Sequence, residues 1–302
     1  MGRHQGSTRR AARGGTAVLN RRGITLLELL VAMTLAAVLL GAAGTTVFRQ
    51  RHEGARATAR SSAESQLRAA LAAIPMALQG LTPSAGDLAP GEARDTALQI
   101  RAPVAYGVAC DSAAGQVILS VADTGVERES AIVSTPRVGD TLWWWPPGLG
   151  WIGRRVNSIT IGTGACVAEG AVTRELLRVG FAGADTVPRS APIRLTRATR
   201  YSFYRAGDGT WQLGIAEWSE VLHDFAPPQP VAGPFLPAGP SGARTGFRYY
   251  DAAGSELPIT AQGVSTATIA RLRLTLIVQA GAPGMPPLLR SDSVDVAFGH
   301  AP

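Results

Sequence analysis

Few side chains in this sequence are placed to do chemistry, and one carboxylate stands out among them. Glu28 lies inside an otherwise apolar run, and this run directly follows Arg21, Arg22 and Gly23. Moving an ionised carboxylate into a bilayer costs at least about 2.5 kcal/mol on insertion scales, so an intramembrane glutamate usually has a functional partner. The alternative is that Glu28 is a solvated residue at the membrane edge.

The histidines do not indicate a catalytic or metal site. None pairs with another His or with Cys at a metal-ligand spacing, and no HExxH, GxSxG, P-loop, GxGxxG or calcium-loop motif occurs. His223 and Asp224, near Trp218 and Glu220, could act as an acid-base group, but such pairs between strands are usually solvated. The sequence therefore predicts no catalytic residue, metal or cofactor. The histidines are His4, His52, His223 and His300.

Two further groups of residues could form sites in the rest of the chain. Cys110 and Cys166 are the only cysteines, and in an oxidising compartment they could form a disulfide worth about 2–4 kcal/mol. Two buried free thiols are the alternative. The second group is an aromatic run that could form a patch for a protein partner or a carbohydrate, or lie partly in a core. Its members are Trp143, Trp144, Trp145 and Trp151.

A single apolar segment must position Glu28. Residues 29–48 carry no charge, and roughly 20 residues cross a bilayer as a helix. Residues 1–23 contain six arginines and no acidic residue, so the positive-inside bias keeps them cytoplasmic and exports the rest. The remaining chain is nearly neutral, which argues against nucleic-acid binding. The small residues Gly41, Ala42 and Ala43 would also suit cleavage by signal peptidase.

Residues 21–33 resemble the N-terminal motif of the type IV pilin and type II secretion pseudopilin family. Precursors in this family carry a basic leader, a glycine at the cleavage site and a glutamate as fifth mature residue. These positions are here Gly23 and Glu28, with Ile24 as the new N-terminus where the family usually has Phe. The resemblance implies that a prepilin peptidase cleaves after Gly23 and methylates the amine of Ile24. Desolvation then favours pairing of Glu28 with the freed amine of an adjacent subunit.

The apolar segment is predicted to continue as one long helix. Gly80 and Pro83 are expected to end it and Pro75 to kink its last turn, so a helix of about 55 residues is expected from Ile24 to about Gln79. Apolar residues after residue 48 recur at amphipathic helical spacing: Leu67, Ala70, Leu71, Ile74 and Leu78. Three glycines within the helix would permit close helix packing or local flexibility: Gly41, Gly44 and Gly54.

From about residue 81 the sequence predicts β-strands, because short β-branched and aromatic runs alternate with turn residues. The expected fold class is α+β, a long membrane-spanning helix packed on a mainly antiparallel, β-rich domain of the pilin type. Hairpin turns are expected at 206–209 and 251–254, and a surface loop at Pro227–Gly242. The candidate strands are Ala97–Arg101, Gln116–Val121, Thr141–Trp145, Val156–Ile161, Leu176–Phe181, Ile193–Arg205, Trp211–Ile215, Gly246–Tyr250, Thr268–Val278 and Ser293–Phe298.

The C-terminal half is similar to large minor pseudopilins, the J-type of type II secretion or the W-type of type IV pili. The similarity rests on the segments TRYSFYRAGDGTWQLG, GFRYYDAAGSEL and IARLRLTLIVQA. It implies a minor subunit with a leader at 1–23, a helix at 24–80 and a periplasmic domain at 81–302, which helps to initiate or cap a filament. The implied partners are prepilin peptidase, other minor and major pilins, the inner-membrane assembly platform and the lipid bilayer.

Two other kinds of function are compatible with the same residues. A signal-anchored or secreted binding protein could use the tryptophan run as a ligand patch, and it would have no need of Glu28. An exported enzyme would depend on His223 or on the acidic residues for its activity.

Overall fold

A single long helix opens the described part of the chain. The structure, a computed structural model, describes residues 25–89, 91–120, 131–166, 173–237, 239, 242–281 and 288–299. Helix α1 spans Leu26–Leu78 and includes Pro75. The predicted long helix is therefore present, close to its expected bounds. The contacts within the chain form two compact units, one ending at Gly54 and one beginning at Ala55, and the division into leader, helix and domain stays a prediction.

The second half of α1 buries one stripe of side chains in the core of the second unit. These residues recur at spacings of three and four, which places them on one face of the helix. Leu71, predicted to be part of the same face, packs against the core and is only partly buried. The amphipathic pattern thus fixes which side of α1 carries the domain. The buried residues are Ala63, Leu67, Ala70, Ile74 and Leu78.

The strands form two sheets within the described residues, and all their pairings are antiparallel. The larger has the order β10-β8-β7-β4-β5-β6-β2-β1-β3, with β9 paired to β8, and the smaller is β11-β12-β13. The α+β class is therefore confirmed. The strands are β1 Ala97–Ala113, β2 Gln116–Ser120, β3 Ala131–Ile132, β4 Thr141–Trp144, β5 Ile152–Ala165, β6 Thr173–Phe181, β7 Pro192–Arg205, β8 Trp211–Ser219, β9 Asp224–Phe225, β10 Gln229–Phe235, β11 Gly246–Tyr250, β12 Arg271–Ala280 and β13 Leu288–Ala297.

Six strands of the larger sheet close into a barrel. Strand β1 pairs along 97–108 with β7 and, further on, with β2, so the path β7-β4-β5-β6-β2-β1 returns to β7. Small closed barrels are filled by side chains from alternate strand positions. Here the interior core includes Leu142, Trp144, Val179, Phe181 and Leu195. The barrel therefore has a hydrophobic core of its own.

A second core joins α1 to the three-stranded sheet and to the ends of β1, β7, β8 and β10. Phe203 lies at its centre, with ring centroids 6.1 Å from Phe235 and 5.6 Å from Phe247. Tyr249 is fully buried there, and its hydroxyl donates to the Arg94 carbonyl at 2.9 Å. Burial raises the pKa of Tyr249 far above its ordinary value, so this phenol stays neutral and structural.

One ion pair is buried between the strands of the larger sheet. Asp140 accepts hydrogen bonds from Nε and Nη2 of Arg197 at 2.7 and 2.9 Å, and both side chains are almost fully buried. Arg197 also donates to the Thr135 carbonyl, and Asp140 accepts from the Arg137 backbone N–H. Because the polar groups of the pair are met by further partners, the pair can remain charged inside the protein.

The predicted loop at Pro227–Gly242 is wrong in its first half, because β10 occupies Gln229–Phe235. Strand β10 is the edge of its sheet, where the missing N–H groups of Pro230 and Pro234 break no ladder. The hairpin turn at 206–209 is confirmed between β7 and β8. Residues 251–254 also form a turn, closed by the bridge between Tyr250 and Glu256.

Candidate assembly site

The helix that carries Glu28 begins with a capping interaction. The Glu28 backbone N–H donates to the Thr25 hydroxyl at 3.3 Å and to the Thr25 carbonyl at 3.0 Å, and Leu29 N–H also donates to that carbonyl. Thr25 therefore acts as the N-cap, and Glu28 is the third residue of the helix. The pattern Thr-x-x-Glu is a capping signal, which the sequence interpretation overlooked. A carboxylate at this position is also favoured by the positive end of the helix dipole.

The first half of α1 exposes nearly all of its large apolar side chains. Leu26 is 84% exposed, and the exposed fraction is still 69% at Leu39 and 67% at Phe48. The helix is long and apolar enough to cross a membrane. Burying this surface in lipid or against other apolar helices is strongly favourable.

The polar and small residues of this segment suit an apolar environment. The hydroxyls of Thr34, Thr45 and Thr46 donate to carbonyls one turn earlier in the helix, so they present no unsatisfied donor. Gly41 and Gly44 have open space where a side chain would stand. Nothing described in the chain itself therefore requires glycine at these two positions.

Two of the predicted site residues lie outside the described residues. These are Gly23 and Ile24, the residues on either side of the predicted cleavage. Glu28 is described and exposed in the first turn of α1. The predictions of cleavage, N-methylation and subunit pairing at these three positions stay predictions.

The four tryptophans of the run differ in their exposure. Trp144 is only 2% exposed, with its ring centroid 5.5 Å from Phe181 in the barrel interior. Trp143 lies across Gly153, where any side chain would collide with its ring. Its Nε1 donates to the Thr196 hydroxyl at 2.9 Å. Both rings pack within the fold, and the burial of Trp144 removes that residue from the predicted partner surface.

The other two rings lie at the β4–β5 turn. Trp145 is 44% exposed and contacts Trp151 edge to face, with centroids 5.5 Å apart. Leu149, in the same turn, is 74% exposed. The Arg194 guanidinium lies 4.6 Å from the Trp151 ring centroid. The exposed surface of this turn is therefore formed by Trp145 and Leu149, with Trp151 partly exposed beside them.

Cys110 and Cys166 form a disulfide. Cys110 lies in β1 and Cys166 directly follows β5, and both are buried with Leu176 and Ile118. This cluster is separate from the barrel interior. The covalent bond connects β1 with the end of β5. These strands are not neighbours in the sheet, so the disulfide cross-links two separate parts of the barrel.

The acid-base group considered around His223 is not assembled for catalysis. Asp224 accepts a hydrogen bond from the Phe225 backbone N–H at 2.7 Å. Glu220 is bonded to Arg155 and accepts from Trp218 Nε1 at 3.4 Å. Both carboxylates therefore already have hydrogen-bond partners. Among the residues that the structure describes, no three His, Cys, Asp or Glu side chains cluster as a metal site.

Comparison with known proteins gives one match. Residues 19–44 match a family model described as the prokaryotic N-terminal methylation motif. No curated protein and no solved structure matches the chain. The match supports a subunit of the type IV pilin and pseudopilin family, and the motif implies processing by a prepilin peptidase and assembly with other pilins. With the apolar helix, it supports a single-pass membrane anchor.

Proposed function

We propose that the chain is a minor pilin or pseudopilin, of the J-type or W-type, that helps to initiate or cap a periplasmic pseudopilus or type IV pilus. The observation that carries this proposal is the exposed apolar half of α1, which bears one carboxylate, Glu28, within the matched motif. A filament subunit needs such a surface, because lipid covers it before assembly and other helices cover it afterwards. In this role the chain is a structural subunit and has no catalytic activity.

Processing creates the partner that Glu28 lacks within its own helix. The prepilin peptidase hydrolyses the bond between Gly23 and Ile24, which frees the Ile24 amine, and then methylates that amine. An ionised carboxylate without a partner in an apolar helix bundle is energetically unfavourable. Arrangements that place a cation beside it are therefore favoured. The Ile24 amine of the neighbouring subunit provides this cation and sets the register between the two helices.

The anchor is proposed to keep its leader in the cytoplasm and its β-rich domain in the periplasm. The six arginines of residues 1–23 support this orientation. The disulfide between Cys110 and Cys166 also supports it, because disulfides persist in the oxidising periplasm rather than in the cytoplasm. The domain is then positioned to contact other minor and major pilins, while the anchor contacts the assembly platform in the inner membrane.

The turn that carries Trp145, Leu149 and Trp151 is proposed as one contact with another subunit. Exposed Trp and Leu side chains held by a Pro- and Gly-bounded turn lose little conformational freedom on binding. The tryptophan edge-to-face contact already fixes the two rings. This turn is a subunit contact rather than a ligand pocket.

The proposal is tested by the N-terminus of the membrane-extracted protein, measured by intact mass and peptide analysis in cells with and without their prepilin peptidase. A start at Ile24, N-methylated and dependent on the peptidase, is expected. A start near Gly44, or an uncleaved chain in both strains, would overturn the proposal and favour the secreted or anchored binding protein.

A matched pair of variants tests the role of the carboxylate separately. Glu28→Gln is expected to be cleaved normally but to be depleted from purified filaments, because the neighbouring amine loses its ionic partner. Glu53→Gln removes an exposed carboxylate from the same helix and should assemble like the parent. Equal incorporation of both variants would show that Glu28 does not pair.

A further inference from the structure

A row of alternating aromatic and cationic side chains leads away from the β4–β5 turn. The Trp145 and Trp151 rings are in contact, with centroids 5.5 Å apart, and the Arg194 guanidinium lies 4.6 Å from the Trp151 centroid. Arg194 also lies 5.5 Å from the ring centroid of Trp143, and the Arg101 guanidinium lies over that same ring at 4.2 Å. These five side chains form the Trp–Arg row, in which edge-to-face and cation–π contacts hold each group against the next.

The Trp–Arg row lies on the outer face of the barrel. Successive side chains of a strand point to opposite faces of a sheet, and Trp144 and Leu195 belong to the barrel interior. Their neighbours Trp143 and Arg194 therefore point outwards, directly opposite each other in the pairing of β4 with β7. Tyr106 is opposite Arg194 on the other side, in β1, and is 46% exposed. The row is thus bordered by surface that a partner can reach.

The two arginines of the row differ in their ionic partners. The Asp87 carboxylate lies 2.9 Å from Arg194 Nη1 and is only 2% exposed, and it also accepts the Thr82 backbone N–H at 3.0 Å. The Arg101 guanidinium forms no hydrogen bond or ion pair with any described residue, and its nitrogens are not sealed from solvent. One carboxylate therefore serves two guanidinium groups, and the cluster carries an excess positive charge.

The Arg101 guanidinium is held in place although it lacks a counter-ion. It lies on the Trp143 ring, and a side chain at Gly86 would approach its Nη1 to 3.0 Å. Burial lowers the pKa of Arg101, while Asp87 opposes this shift and Arg194 adds to it. A partly desolvated cation without an acceptor is unfavourable, so an anion that reaches it is bound through charge-assisted hydrogen bonds.

We propose that the Trp–Arg row binds an acidic side chain of another filament subunit, with its carboxylate on Arg101. This inference rests on the proposed role as a filament subunit and names the chemistry of the partner at the exposed turn. A guanidinium presents parallel N–H donors that match a carboxylate. Trp145 and Leu149, which are 44% and 74% exposed, contact the apolar neighbours of the acidic residue. Aromatic anchors beside a desolvated charge pair are typical of binding hot spots.

The surroundings of the row favour a single carboxylate over the phosphates of a nucleic acid. Proteins that bind nucleic acids place many basic side chains along one face. Here Arg194 is already paired with Asp87, so Arg101 is the cation of the row that needs an anion. The chain after residue 23 is also nearly neutral, so it exerts little long-range attraction on a polyanion.

A matched pair of variants tests the role of Arg101 in assembly. Arg101→Gln should be incorporated into purified filaments about tenfold less than the parent, because charge-assisted hydrogen bonds contribute on this order. Arg101→Lys keeps the charge but not the planar fork, so it should recover only part of this loss. The control Arg244→Gln removes an exposed arginine outside the row and should be incorporated like the parent. Urea unfolding of the detergent-solubilised chains checks that all variants keep the fold.

Photo-cross-linking in cells identifies the partner residue. Tyr106→p-benzoylphenylalanine places the cross-linker opposite Arg194. It should capture a peptide that contains Asp or Glu, from a chain with its own prepilin-type motif, and Arg101→Gln should remove most of this product. Arg101→Glu combined with an arginine at the captured acidic position should restore the incorporation that each single reversal loses, because opposite charges face each other again.

Three results would overturn this inference. They are equal incorporation of Arg101→Gln and Arg244→Gln, a cross-link to nucleic acid or to no acidic peptide, and a double reversal as weak as the single ones. The N-terminus of the same chains separates such a failure from that of the filament role. A start at Ile24 with normal incorporation of Arg101→Gln would remove the Trp–Arg row alone as a contact, whereas a start elsewhere would remove the role on which it rests.

Discussion

The two halves of α1 differ in the exposure of their apolar side chains. Between Ala63 and Leu78, the helix buries a narrow apolar stripe inside its own chain. Between Leu26 and Phe48, the same helix exposes large apolar side chains around its circumference. A narrow stripe is typical of a helix that packs on one surface, whereas an apolar circumference is typical of a helix surrounded by lipid or other helices.

This difference shows where the partners of each half lie. The partners of the second half are β11, β12, β13 and the ends of the barrel strands, which belong to the same chain. The first half has no such partners among the described residues, so its apolar surface is free to contact lipid or other apolar helices. Variants in the second half should therefore lower the free energy of unfolding, whereas variants in the first half should impair membrane insertion.

The largest contrast is expected between Ile74→Ala and Leu39→Ala. Ile74 is 0% exposed in the core and Leu39 is 69% exposed. Truncating a buried isoleucine leaves a cavity and should lower the free energy of unfolding by about 2–5 kcal/mol, while Leu39→Ala should change it by less than about 0.5 kcal/mol. Urea unfolding of the detergent-solubilised chain, followed by tryptophan fluorescence, measures both. Equal losses would remove the distinction between the halves.

The reverse contrast is expected in membrane insertion. Leu39→Arg places a charge near the middle of the apolar segment, at an insertion cost of about 2.5–3.5 kcal/mol, and should shift the protein into the carbonate-soluble fraction. Ser61→Arg alters an exposed residue of the second half and should leave the protein in the membrane pellet. Retention of both variants in the pellet would contradict a role for the first half as the anchor.

A smaller effect is expected at the start of α1. Thr25→Ala removes the hydroxyl that accepts the Glu28 N–H and should cost about 1 kcal/mol of local helix stability. Thr34→Ala removes a hydroxyl that only donates back within the helix and serves as the control. Amide hydrogen exchange of residues 26–29 should accelerate in the first variant alone. Unchanged exchange would show that Thr25 does not cap the helix.

The smallest effect is expected from pH. Hydrogen bonds from Arg273 lower the pKa of Asp295 below its usual range. The stabilisation is therefore present above the ordinary aspartate pKa and is lost as the pH falls through the lowered value. Because the pair is more than a third exposed, its contribution should stay below about 1 kcal/mol.

A comparison with Asp295→Asn measures that contribution. The free energy of unfolding of the two chains should differ near neutral pH and converge in acid, as the wild-type carboxylate becomes protonated. A difference that persisted or grew in acid would contradict the assigned sign.

Local patterns predicted the elements but not how they join. The helix followed from the length of its apolar segment and the spacing of Leu67, Ile74 and Leu78, and Gly246–Tyr250 was predicted with the bounds of β11. Strand β1 was predicted only to Arg101, because Pro103 and Gly107 interrupt its pattern. Barrel closure depends on pairing between β1 and β7, which lie far apart in sequence, so no local signal predicts it.

The candidate site was predictable to the extent that it depends on sequence-local chemistry. A charged residue in an apolar run and a basic flank identify Glu28 from the sequence alone. The burial of Trp144 was not predictable, because it depends on Phe181 across the barrel, and the packing of Trp143 was not predictable, because it depends on Gly153 from the next strand. The position of β13 at the end of its sheet likewise follows from strand order, which no local pattern predicts.

The buried stripe of α1 also has a mechanical meaning. From Ala63 to Leu78 it extends roughly 22 Å along the helix axis, and the Gln66 side-chain oxygen accepts a hydrogen bond from the Gly233 N–H at 3.1 Å. A force applied along α1 would act on all these contacts at once, in shear, so they would resist together instead of separating one after another. A force applied to the helix can therefore be transmitted to the whole domain without detaching the helix from it one contact at a time.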